Sequence, residues 1–365
     1  MKLTALILTA SLLALAASAL RAGDLDRLNT ELAAAAEKVS TFLTEDKRTD
    51  IAIGDFVAPP ILQSNYGNEL RRTFQDALEA KKITVSVSAL YAISGKYYLA
   101  KDETPEAPNN AGVPGLKIEF EIVDQQNNRV AQRFARQLFD PNVIAAAAGA
   151  NAVIPPESAD KRIAKIVKSL DESDAVLDKT EVHVGQFGLE IGTVNTAGKF
   201  EPRTPMPLPD KRPFVALNRD DIYAIRLINN ADYDAAIALS VDGLNVFQFS
   251  YIHNNKGDNL YTHWIVPAHS SALVPGWHKT NDSSFRFKIT DLPDTAAFKA
   301  RSTGSIGVIN ALVCPVTKGG QHNLDSGILR AGGGTGFGPL VDFKTRPVNV
   351  EFAAPSVSIS IRYAK

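Results

Sequence analysis

The chain is 365 residues long, 45% hydrophobic, 22% charged and 8% aromatic, an ordinary globular composition with length enough for two packed domains. Lys and Arg number 39 against 40 Asp and Glu, a near balance that leaves no electrostatic footprint for nucleic acid. The single cysteine, Cys314, excludes an intrachain disulfide and any cysteine-built zinc site.

The chain opens on Met1-Lys2 and an apolar run from Leu3 to Leu20, with small residues at Ala17-Ser18-Ala19 and Ala22. A basic start, an apolar stretch and an A-x-A site are the layout of a secretory signal peptide. Residues 1–22 are therefore expected to be a signal peptide, cut after Ala19 or Ala22. The product would be exported, periplasmic or extracellular, with no stable membrane span. Ala and Ser crowd the second half of the run and no basic flank follows, which argues against a retained anchor.

Residues 23–170 read as a small mixed α/β domain with a leading helix. Leu25, Leu28, Leu32, Ala35, Val39 and Phe42 recur at helical spacing, and Asp24 is placed to cap them. TDIAIGDF from Thr49 to Phe56 has strand character, and Tyr66 to Lys82 is again an amphipathic helix. Strands follow at 83–87 and 92–101. The segments 116–124 and 130–139 form a hairpin about Gln126-Asn127-Asn128, where asparagine tolerates positive φ. Asp140-Pro141 is a helix start, Asp as cap and Pro in the first turn, and a further short helix covers 160–170. Helices then lie on one side of a mixed sheet.

DIAIGDF, the helix NELRRTFQDALEAKK and AISGKYYLAKD resemble the periplasmic α/β domains of three groups. These are the curli-secretion lipoproteins, the penicillin-binding-protein activator lipoproteins and the TolB amino-terminal domain. In those families the Ser-Gly-Lys element is a turn that ends a strand. The resemblance implies an envelope adaptor or scaffold, not an enzyme. The lipidated cysteine of the lipoprotein groups is absent at the cleavage region.

Residues 171–213 lose the helical period, and EPRTPMPLPDKRP at 201–213 carries five prolines, so an extended connector is expected there. Residues 214–365 read as an antiparallel β-sandwich, with a closed barrel as the alternative. Short strands recur from Ile222 with Gly, Asn and Asp turns between them, including Asp242-Gly243 and a strand at Leu244 to Ile252. Val357, Ile359, Ile361 and Tyr363 alternate strictly. The runs YAIRLINN and YDAAIALSVDGLNVF, with PGWH and SFRFKIT, resemble a group of exported bacterial β-sandwich proteins, a likeness that implies no particular activity.

Chemistry in this half is sparse. His253, His263, His269 and His278 crowd one stretch, but no H-E-x-x-H or H-x-H spacing occurs, so no metal is expected. Cys314 ends an apolar strand, there is no G-x-S-x-G elbow, and Asp242 reads as turn chemistry. Gly332 to Gly338 lacks the Gly-Lys-Ser/Thr of a phosphate loop, and no cofactor is expected. Tyr251, Tyr261, Trp264, Trp277 and His278 remain as binding candidates, because Trp and Tyr bring large contact area at little entropy cost. Trp264 and Trp277 also suit the ends of a sandwich core, and that reading is preferred. The sequence thus points to a non-enzymatic scaffold or interaction module whose partner is a protein or glycan of the envelope. A secreted hydrolase or glycan-binding module using residues 253–278 is the alternative.

Overall fold

The computed structural model describes residues 26–62, 64, 66–101, 112–255, 257, 259–300, 306–319 and 335–364. The apolar leader, His322 and Gly332 to Gly334 lie outside the described residues. The architecture is α+β, as expected: a small mixed domain followed by a two-sheet sandwich.

Helix α1 (Asp26–Glu45) precedes β1 (Asp50–Val57), α2 (Gly67–Ala80), β2 (Thr84–Val85), β3 (Tyr91–Lys101), β4 (Pro114–Asp124) and β5 (Arg129–Leu138). The sheet runs β2-β1-β3-β4-β5, parallel at its first two pairings and antiparallel at the others. Alternation along β4 shows that one face is covered. Leu116, Ile118, Phe120 and Ile122 are buried, while Lys117, Glu119 and Glu121 between them are half-exposed. Leu28 and Leu32 of α1 and Leu70 and Phe74 of α2 supply the cover. The Phe74 ring lies 5.9 Å from Phe56 and 5.1 Å from Phe120. Ser94-Gly95-Lys96 is not a strand-ending turn. It runs through the middle of β3, where a Cβ on Gly95 would come within 2.5 Å of the Phe56 ring.

Asn128 takes φ 50° at the β4–β5 turn, the conformation its side chain tolerates. Helix α3 (Pro141–Ala148) starts as the sequence indicated: the Asp140 carboxylate accepts the amides of Asn142 at 2.9 Å and Val143 at 3.2 Å. After β6 (Ala152–Val153), α4 (Ala159–Lys168) turns Ile163 and Ile166 into the first core.

The sandwich begins earlier than the sequence suggested. The expected connector at 171–213 contains β7 (Val176–Leu177), β8 (Val182–Val184), β9 (Phe187–Val194), β10 (Phe200–Pro202) and β11 (Met206–Pro207). Strands β12 (Pro213–Ala216) and β13 (Ile222–Asn229) follow, and β9 pairs with β13 along its length. Gly188, Glu190 and Gly192 hide this strand from a hydrophobic pattern. Glu190 is nonetheless buried, because it accepts the Thr180 hydroxyl at 2.5 Å and pairs with Arg226. The proline-rich part behaves as an edge, with β10 added to β9 and β11 to β12.

The chain continues through β14 (Ala235–Val241), β15 (Leu244–Asn245), β16 (Trp264–Val266), β17 (Ser270–Val274), β18 (Gly276–Thr280) and β19 (Ser283–Lys288). Beyond α5 (Ala296–Lys299) come β20 (Val308–Gly319), β21 (Leu340–Asp342), β22 (Val350–Phe352) and β23 (Val357–Ala364). One sheet runs β18-β19-β13-β9-β8-β7 and the other β11-β12-β23-β20-β14-β15. The pairings are antiparallel except for β12 on β23. The strand expected at 244–252 stops after two residues. Asn245 Oδ1 accepts the Phe247 amide at 3.0 Å, an Asx turn, and consecutive turns carry the chain to Tyr251.

In β23, Val357, Ile359, Ile361 and Tyr363 enter the sandwich core as their alternation predicted. Ser358 and Ser360 between them are also buried, because the first domain covers the other side. Asn151 donates Nδ2 to the Ser360 carbonyl at 3.1 Å and accepts the Ser360 amide at 2.7 Å, and β6 pairs with the start of β23. Since β9 and Asn151 hold the sandwich from the amino-terminal side of the proline run, proteolysis within 203–212 should leave two fragments that co-elute in gel filtration. A free, folded fragment beginning near Phe214 would contradict this arrangement.

Candidate functional site

The five candidate residues divide according to the pleat of β18. Neighbouring side chains on a strand project to opposite faces, so Trp277 and His278 cannot share a platform. Gly276 sets the strand in place: a Cβ there would lie 1.8 Å from the Phe285 carbonyl oxygen, so only glycine allows this approach to β19.

Trp277 enters the sandwich core with no exposed surface. Its ring meets Phe287 edge-on at 5.3 Å and Phe249 at 5.2 Å, and Phe287 stacks on Tyr223 at 5.1 Å. The core-plug reading therefore describes it, and it offers no contact area to a ligand. His278 points the other way, where the excursion from Val246 to Trp264 covers it. Its Nδ1 lies 3.2 Å from the Ser250 hydroxyl, and Phe247, Tyr261 and Trp264 surround its ring at 4.9, 5.9 and 6.3 Å. Burial holds this imidazole neutral, pushing its pKa down to about 4. Tyr261 and Trp264 are half-buried as parts of that cover. Of the five, Tyr251 alone is exposed, at 65%.

Around Tyr251 the structure assembles a face that sequence reasoning missed. Lys279 Nζ sits 5.3 Å from the Tyr251 ring centre and 5.0 Å from that of Phe285, a cation shared by two aromatic rings. Phe285 meets Phe337 at 5.4 Å, and Phe337 meets Phe249 at 4.7 Å. Phe285 is opposite Leu340 across the β19–β21 pair, which puts both side chains on one face. Phe337 is 37% exposed and Leu340 49%, so the face is open to solvent. The signal available in sequence was the alternation of Phe247, Phe249 and Tyr251. The turns redistribute that set: Phe247 is buried, Phe249 half-buried and Tyr251 exposed.

Two hairpin and strand-end features proved to be core. Asp242 and Gly243 form the β14–β15 turn with φ 53° and 76°. The Asp242 carboxylate is buried, accepting the amides of Gly307 at 2.6 Å and Val308 at 3.2 Å and the Tyr363 hydroxyl at 2.7 Å. Desolvation raises its pKa to about 6 against these stabilising donors. Cys314 is buried on β20 opposite Ala236.

The histidines do not converge. His269 pairs with Asp232 at 2.9 Å, His263 lies against Phe352 at 4.5 Å, and His253 bridges to Asn259. Among the described residues no three His, Cys, Asp or Glu side chains are grouped to hold a metal ion. No described helix is long and apolar enough to cross a membrane.

No family model and no curated protein matches the chain. Among solved structures it is similar to TolB from Acinetobacter baumannii, at 10% identity over 73% of this chain and 68% of that one, with a TM-score of 0.13. That score is below what a shared fold gives, so the envelope resemblance remains an expectation of the sequence.

Three substitutions test this geometry. Trp277→Ala should lower stability by about 3–5 kcal/mol through cavity formation, measured by urea unfolding. The two buried titratable groups have opposite signs. Asp242, raised to about 6, contributes stability that is full below pH 3.8 and lost as pH rises through 6. His278, lowered to about 4, contributes stability that is full above pH 6.5 and lost as pH falls towards 4. Between pH 7 and 4.5 the wild type should therefore gain stability relative to Asp242→Asn and lose it relative to His278→Gln. Parallel curves would refute both assignments.

Proposed function

We propose that this is an exported cell-envelope protein that works as a binding module, not a catalyst, and that Tyr251 marks its binding face. The observation that carries the reading is the solvent-open set of Tyr251, Phe337 and Leu340 about the half-buried Phe285, with Lys279 held across the Tyr251 and Phe285 rings. Exposed aromatic clusters of this kind are costly to leave in water and are typical anchors of protein interfaces. The leader at residues 1–22 supports export. The hydrolase alternative on residues 253–278 finds no support in the scattered histidines: His263, His269 and His278 each have a separate local side-chain partner.

The test is capture from the exported fraction of the native cell with the mature chain as bait. Tyr251→Ala and Phe337→Ala should each weaken recovery of a bound component by about tenfold or more, with the melting curve almost unchanged. Equal recovery by both variants and the wild type would overturn the binding face. Amino-terminal sequencing of the native product should begin at Leu20 or Gly23, and an intact Met1 would count against export.

A further inference from the structure

The proposed binding face carries two opposite charges that do not meet within one molecule. Leu340 is opposite Phe285 and Asp342 opposite Ser283 across the β19–β21 pair, so these side chains stand on one face of the sheet. On the other side of β19, Lys279 occupies the bulge of β18 between the His278–Ser284 and Thr280–Ser283 pairings. Its ammonium, 5.0 Å from the centre of the Phe285 ring, reaches onto the same face. Lys279 and Asp342 thus flank β19 near the level of Ser283, one strand to either side. Two strand spacings put their backbones about 10 Å apart. Neither side chain makes an ion pair with a described residue. Lys299, near the Phe337 ring at 6.0 Å, is by contrast paired with Asp294 at 3.7 Å.

This pattern is its own complement. An occupant of the face has to bring a carboxylate to Lys279, a cation to Asp342 and apolar side chains between them. A half-turn about an axis over the face and parallel to β19 exchanges the β18 side with the β21 side and keeps the position along the strand. It sets Lys279 of each copy against Asp342 of the other and Phe285 against Phe285, a contact in which the same patch serves both copies. Tyr251, beyond β18, then lies over the β21 side of the second copy. A sugar suits the face less well. Phe337 meets Phe249 at 72° and Phe285 at 81°, so the rings present edges and no flat platform on which a sugar could stack.

We infer that a second copy of this chain occupies the face, in a two-fold dimer whose apolar centre is bracketed by ion pairs between Lys279 of each copy and Asp342 of the other. The inference rests on the binding reading above and names the occupant of that face; the component captured by the bait is then the native chain itself.

Sedimentation equilibrium of the mature chain should show a dimer that dissociates on dilution and weakens as salt rises. Lys279→Glu and Asp342→Lys should each weaken it about tenfold or more. Neither side chain is buried, so both variants should keep the wild-type melting curve. Each variant alone sets like charges together at both contacts. An equimolar mixture of the two restores opposite charges at both, and should associate more tightly than either variant by itself; the Lys279→Glu/Asp342→Lys double variant should recover in the same way. A chain that is monomeric at every concentration, a dimer equally tight in both variants, or a mixture no tighter than its components would overturn the inference. A monomer whose capture of another component still falls with Tyr251→Ala would remove the second copy and leave the binding face standing. A monomer whose capture is unchanged by Tyr251→Ala and Phe337→Ala would remove both.

Discussion

The burial of β23 on every side is the constraint on which the rest of the molecule depends. Its edges pair with β12 and β20, one face enters the sandwich core, and the other lies against the first domain. Burial on both faces would leave Ser358 and Ser360 in an apolar layer, so their backbone groups must find partners. Asn151 supplies the missing pair for Ser360 with one donor and one acceptor, a side-chain amide acting as a short length of strand. The sheet containing β23 is consequently a middle layer between two cores, and Leu312 of neighbouring β20 packs against the first of them.

From that layer the geometry of the proposed binding face follows. The second sheet packs over the first through Tyr223, Ile225 and Leu227 of β13, and β19 and β18 extend it beyond the cover of the layer beneath. Trp277 closes the core at this end, with Phe249 and Phe287 on its ring. Outward of Trp277 the same sheet face continues as Phe285 and Leu340, past the point where the core has been sealed. Those side chains continue a core-facing row, Phe285 half-buried and Leu340 exposed, and among the described residues no further strand pairs beyond β21. Lys279 lies across the exposed rings, its stem covering apolar surface and its ammonium meeting the ring faces.

Buried polar groups in this half are structural fasteners. Asp242 ties the β14–β15 turn to the start of β20 and to the hydroxyl of Tyr363 near the end of β23. The Asn68 side chain adds a bond from α2 to the Asp242 carbonyl at 3.0 Å, a second tie between the halves. His278 holds the turn at Ser250 against β18, while the Tyr251 amide donates to the Lys279 carbonyl at 2.8 Å. These bonds bring Tyr251 alongside Lys279, so the neutral core histidine positions the exposed face without belonging to it.

What the sequence determined by itself is local. The helical spacing of α1, the Asp140 cap, the positive φ of Asn128 and the alternation of β23 are each decided within a few residues by sterics and by the period of the apolar side chains. The exposure of Tyr251, the covered faces of Trp277 and His278, and the burial of Asp242 were decided by tertiary structure. Alternation separates Trp277 from His278, but which of the two faces is covered depends on strands and loops distant in sequence. The strand β9 was hidden for the same reason, since Glu190 reads as exposed until Arg226, 36 residues on, is placed beside it. The backbone amide and carbonyl of Ser360 are paired by a residue 209 positions away. Contacts of such separation leave no period in a sequence, because a hydrophobic pattern records which side of an element is apolar and not what comes to lie against it.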